Sequence, residues 1–121
     1  MAEGWGPTAG NAAVTDVTTD YPWTKLHVGA PGAALTANPA TETDRQEVTW
    51  GSASGGERAN SNELEWLSVA GTEDFSHITT HTAETAGTPG ISGTLTANPV
   101  TAGDTFTIGV GDLTVSVPLA S

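Results

Sequence analysis

The sequence predicts an all-β fold, a single jelly-roll-like β-sandwich with a short N-terminal arm or marginal helix. Three observations lead there. From Ile91 to Val117, apolar and hydroxyl side chains alternate at period two, the spacing that puts one set on a buried sheet face and the other in water. Threonine is the commonest residue and Lys and Arg together number 3, a composition of β-branched strand formers with few surface-helix residues. The 15 glycines cluster with Pro, Asn and Asp between the alternating segments, where turns are required. A chain of 121 residues supports one domain with its own core, divided here into an arm at 1–22 and a sandwich at 23–121.

In the arm, Ala12, Ala13, Val14 and Val17 fall near helical spacing with Asn11 as the expected N-cap, but β-branched neighbours weaken the helix. Pro22 enforces extended backbone before Trp23–Val28, the first strand, in which Trp23, Lys25 and His27 oppose Thr24, Leu26 and Val28. Residues 29–44 read as a long surface or contact loop. Arg45–Trp50 follows as a strand, and 51–62 as a flexible Gly- and Asn-rich connection. Leu64, Trp66 and Val69 then mark a third strand, and Phe75–His81 a fourth. Ile91–Thr96, Thr105–Val110 and Leu113–Val117 complete a set of about seven. Leu35–Pro39 and Leu95–Pro99 are identical pentapeptides; their flanks differ, so chance recurrence in a Thr- and Ala-rich chain is the simpler reading than duplication.

The formal net charge is −11, from 14 acidic residues against Lys25, Arg45 and Arg58. Such a surface repels phosphate backbones and lacks the basic patch of a nucleic-acid binder or a polybasic membrane anchor. No apolar run approaches the ~20 residues of a membrane helix, and the first residues lack the pattern of a secretory signal, so a soluble product of the cytoplasm is expected. The absence of cysteine excludes disulfides, thiolate nucleophiles and Cys-based zinc sites.

No constellation of side chains argues for catalysis, and the sequence marks no catalytic, cofactor-binding or metal-binding residue. His77 and His81 have the H-x-x-x-H spacing of a helical zinc pair, but on a strand positions four apart lie roughly 13 Å from each other. Glu63 and Glu65 read as the wet face opposite Leu64 and Trp66 rather than as a carboxylate pair. The glycines at 51–56 lack the Lys of a phosphate-binding loop. Of the four tryptophans, Trp23, Trp50 and Trp66 fall in expected strands and are assigned to the core. Trp5, flanked by glycine, either inserts into a neighbouring subunit or folds back on its own domain.

Five segments in order, Met1–Gly6, Leu26–Gly32, Arg45–Trp50, Phe75–Ile78 and Ala97–Ile108, resemble a family of small actinobacteriophage virion proteins. Members carry a Leu-His-x-Gly-x-Pro-Gly strand exit and an Ala-Gly-Asp-Thr-Phe-x-Ile hairpin. This chain departs from them in its Val-Thr-rich helix segment and after Ile78. The resemblance implies a non-enzymatic virion protein without cofactor, either a capsid decoration protein or a minor tail or tail-fibre protein. The acidic surface favours the capsid exterior, with the major capsid protein as partner and trimers by analogy with capsid lattices. Decoration would stabilise the shell by bridging its subunits. Trp5 and Pro7 in the arm, and Pro31, Leu35 and Pro39 in the loop, are the candidate partner contacts. The alternatives are a tail component in host attachment, contacting other tail proteins, and a carbohydrate-binding β-sandwich module.

Overall fold

The structure is a computed structural model that describes residues 4–96 and 98–120. One helix, α1 (Pro7–Asp20), precedes ten short strands: β1 (Trp23–His27), β2 (Gln46–Glu47), β3 (Glu57–Ala59), β4 (Leu64–Trp66), β5 (Glu73–Asp74), β6 (His77–His81), β7 (Pro89–Thr94), β8 (Pro99–Val100), β9 (Phe106–Ile108) and β10 (Thr114–Ser116). The fold is all-β with a short N-terminal helix, as the alternation predicts. The strands form one four-stranded antiparallel sheet, β2-β1-β6-β7, and three two-stranded antiparallel ladders, β10-β3, β4-β9 and β5-β8.

The core joins the sheet to the ladders. Leu26 of β1 and Ile78 of β6 pack in one cluster with Leu64 and Trp66 of β4 and Phe106 and Ile108 of β9. Phe75 sits edge-on to Phe106 with ring centroids 5.1 Å apart, and Trp66 tilts against the same ring at 5.7 Å. Such offset and edge contacts contribute about 1 kcal/mol each beyond burial. Glu63 and Glu65 are exposed beside buried Leu64 and Trp66, the alternation expected of a strand wet on one face.

Several expectations need correction. The helix starts at Pro7, with Gly6 as its N-cap, so Asn11 lies inside it. Pro suits the first helical position because its missing N–H has no intrahelical partner there. The Asn11 side chain instead accepts from Gly56 N at 2.7 Å. The buried stripe is Gly10, Val14 and Thr18, spaced by four, while Ala12 and Val17 are exposed. Docking against β3 and β10 therefore holds a helix that intrinsic propensity leaves weak.

The connection at 51–62 also holds order. Gly55 and Gly56 both have positive φ, 61° and 71°, and Ser54 and Glu57 exchange backbone hydrogen bonds across them. That is a two-residue hairpin turn of the kind glycine pairs favour, and it leads into β3. Six of the seven expected strands are shorter than anticipated, the seventh keeps its length but starts two residues earlier as β7, and β3, β5 and β8 join them. β4 ends at Trp66 and Ser68 is left-handed at φ 50°, yet Val69 still enters the core. Among the three expected core tryptophans only Trp66 is fully buried; Trp23 and Trp50 are half-buried. The pentapeptides differ in setting. Leu35 is left-handed at φ 61° and Pro39 bridges His27, whereas Pro99 begins β8; Ala97, within the second copy, lies outside the described residues.

Candidate functional site

A cavity of about 610 Å³ lies at the β1–β2 edge of the four-stranded sheet. Ligand sites commonly fall in that size range. Trp23 and Lys25 line it from β1; two residues apart on one strand, they project from the same sheet face. Thr43, Asp44, Arg45 and Gln46 line it from the segment entering β2, and Glu84, Thr85 and Ala86 from the turn after β6.

The wall is tied down through its backbone. Buried Trp66 donates its indole N–H to Asp44 O at 2.8 Å, and buried Thr24 donates its hydroxyl to Gln46 O at 2.8 Å. Glu73 accepts from Thr41 N and Glu42 N at 2.8 and 3.1 Å. The buried Glu42 carboxylate accepts from Asp44 N at 3.0 Å and Ala70 N at 3.2 Å, so its charge is met by peptide dipoles. Arg45 crosses the cavity mouth, donating through Nη1 to Ala83 O at 2.8 Å and Ala86 O at 2.7 Å. This clamp holds a turn in which Ala86 is left-handed at φ 55°. Among the described residues, the side chains of Lys25, Asp44, Gln46 and Glu84 make no hydrogen bond within the chain.

Two of the chain's three basic side chains thus meet at one cavity. Burial lowers the Lys25 pKa, the nearby Arg45 lowers it further, and Glu42 opposes the shift. On β1 and its neighbour β6, three side chains form a hydrogen-bonded chain. His27 Nδ1 lies 2.9 Å from Ala37 O, and because a carbonyl can only accept, Nδ1 carries the proton. Neutral His27 then accepts at Nε2 from the Thr79 hydroxyl at 2.8 Å, and Thr79 accepts from His81 Nε2 at 2.8 Å. Burial lowers both histidines, His81 to about 4 with Arg45, Lys25 and His27 adding to the effect. His77 stands apart on the same strand, beside Ser76 Oγ at 2.8 Å. Among the described residues no group of three or more His, Asp and Glu is placed to hold a metal ion.

The five sequence-nominated contacts occupy two places. Trp5 N donates to Pro118 O and Ala120 N donates to Trp5 O, both at 2.8 Å, so the arm's backbone is fastened to the chain's own C-terminal segment while the indole is 47% exposed. Pro7 is exposed at the first position of α1. Pro31, Leu35 and Pro39 belong to the 29–44 loop, which doubles back along β1 through Val28 N to Asn38 O and Ala40 N to Leu26 O. Pro39 is exposed and Leu35 half-buried, but Pro31 is buried, so its ring packs the loop instead of offering a surface. None of the five lines the cavity at the sheet edge. Sequence reasoning missed that cavity, although one signal was present: Lys25 and Arg45 flank a strand pair in a chain with almost no other cations.

No curated protein matches the chain. A family model described as podophage GP4 fiber I protein gp80 matches residues 7–116, from the first residue of α1 to the last of β10. The expected kinship with phage structural proteins therefore holds at that level, and the fibre description fits the tail-fibre alternative better than capsid decoration. Matched over its helix and every described strand, the chain belongs to the podophage GP4 fiber I protein gp80 family of phage structural proteins.

Proposed function

We propose that this chain is a non-enzymatic component of a fibre on a phage particle, mounted at the tail and exposed to the medium, and that its part is structural and adhesive. The observation that carries this reading is the family match over residues 7–116, whose description names a fibre protein. The fold agrees with such a role. Its strands are short, its core is compact, and its acidic surface with net charge −11 repels nucleic acid and favours solubility. That surface, the original argument for the capsid exterior, suits a fibre equally well, because both face solvent; it no longer favours decoration. The partners are then other fibre or tail proteins and further copies of this chain.

The test is genetic. Virions assembled without this chain are expected to lack fibre density in cryo-electron micrographs while their capsids keep their surface and heat resistance. Capsids that lose surface density or open at lower temperature, with tails and fibres intact, would overturn the fibre reading in favour of decoration.

A further inference from the structure

The fold uses the lining of the cavity at the β1–β2 edge only in part: Arg45 is bonded to Ala83 O and Ala86 O, whereas among the described residues the side chains of Lys25, Asp44, Gln46 and Glu84 make no hydrogen bond within the chain. Those four side chains leave hydrogen-bonding capacity unused. Lys25, Arg45 and Gln46 supply donors, Asp44, Glu84 and Gln46 supply acceptors, and Thr43 and Thr85 supply both, all around a half-buried indole. That mixture selects among ligand classes. A phosphate group would face two carboxylates as well as the two cations. An apolar ligand would cover the polar groups and leave them unpaired, at about 1–3 kcal/mol each. A sugar suits both features: each hydroxyl donates and accepts, and the ring's C–H face is apolar enough to lie on an aromatic ring.

We infer that this cavity is a saccharide-binding site, in which Trp23 covers the C–H face of one sugar ring while Arg45, Gln46 and Lys25 donate to its hydroxyls and Asp44 and Glu84 accept from them. The site is built in advance of its ligand. Trp66, Thr24 and Glu42 fix the backbone of 42–46 from below, and the Arg45 clamp on Ala83 O and Ala86 O fixes the opposite rim. Prepositioned walls lower the ordering cost of binding. The open, wet cavity gives weak affinity for a single site, which repetition along a fibre multiplies without any new contact. The inference rests on the fibre reading for its biological setting, while its chemistry stands on the cavity alone.

Saturation-transfer NMR on the full chain tests it, with a mixture of hexose, 6-deoxyhexose, N-acetylhexosamine and uronic acid monosaccharides at tens of millimolar. Weak binding is visible at that concentration. Transfer to at least one sugar is expected, together with shifts of the Trp23 indole N–H and the Arg45 Nε–H in the matching nitrogen-15 spectrum. Gln46→Ala combined with Glu84→Ala removes side chains without intrachain hydrogen bonds, so the fold is kept, and the transfer is expected to fall about tenfold, near 1.4 kcal/mol. Trp23→Ala is expected to abolish it. No transfer to any sugar class overturns the proposal, as does transfer that survives the Gln46 and Glu84 changes. Virion analysis separates the two readings: a chain found on fibres that binds no sugar sinks the site alone, and a sugar-binding chain absent from fibres sinks the fibre reading alone.

Discussion

At the scale of single residues, the chain uses its few charged and imidazole groups as structural pins. Arg58 on β3 reaches the end of α1, donating through Nη1 to the Thr18 and Thr19 hydroxyls at 2.9 and 3.1 Å and through Nε to Gly51 O at 2.6 Å. A cation at a helix C-terminus also meets the negative end of the helix dipole. Arg58→Ala is therefore expected to lower stability by about 2 kcal/mol, read as a fall in melting temperature of several degrees. His81 supplies a pH dependence with a defined sign. Its folded pKa lies near 4 and its unfolded value is 6.5, so the fold holds it neutral, chiefly through burial and then through Arg45, Lys25 and His27. The stability this contributes is complete above pH 6.5 and is lost as pH falls from 6.5 toward 4. His27, lowered the same way, adds to the trend. Protonating it places a second N–H against the Thr79 hydroxyl, whose proton then has nowhere to go. Thermal melts between pH 7 and pH 4.5 are expected to show this decline, and His81→Gln to flatten it; an unchanged slope in that variant would contradict the assignment.

At the scale of elements, what the sequence revealed and what it concealed have a common cause. Strands that bury one face declare themselves by alternation. Leu64 and Trp66 of β4, Phe106 and Ile108 of β9, and the half-buried series Leu113, Val115 and Val117 were legible for that reason. β5 and β8, two residues each, are too short to show a period, and β3 follows a Gly-Gly pair read as linker, although both φ values mark a hairpin. The helix register was misjudged because Ala and Val suggested the buried face. The docked face carries Gly10 instead, where an added Cβ would meet the Leu119 side chain at 2.7 Å and Val117 at 3.2 Å. The same close approach recurs between Gly90 of β7 and the Tyr21 ring, which an added Cβ would strike. Gly90→Ala is expected to displace Tyr21 and destabilise the fold by about 1–3 kcal/mol, while Gly103→Ser, at a position with nothing nearby but φ 93°, loses less through packing and more through backbone strain. Paired denaturant titrations with near-ultraviolet dichroism separate the two, since only the first moves an aromatic ring. The candidate site was illegible because its side chains come from β1, the β2 approach and the turn after β6, and strand order is not written in alternation.

At the scale of the molecule, a helix docked on one side, a core shared between the sheet and its ladders, and a polar cavity at the sheet's edge form a compact unit with an acidic exterior. Backbone hydrogen bonds from Trp5 to Pro118 and from Ala120 to Trp5 join the two ends of the described chain. Under the proposed fibre reading, repetition of such a unit would multiply the avidity of one weak site. Family membership is what supports the proposed place of this chain in a fibre of the particle. The most direct measurement is its copy number, by quantitative mass spectrometry, in tails separated from capsids of purified virions. The account predicts that the chain travels with the tails in a small number of copies per particle. A chain that stays with the emptied capsids, in a simple fixed ratio to the major capsid protein, would contradict it.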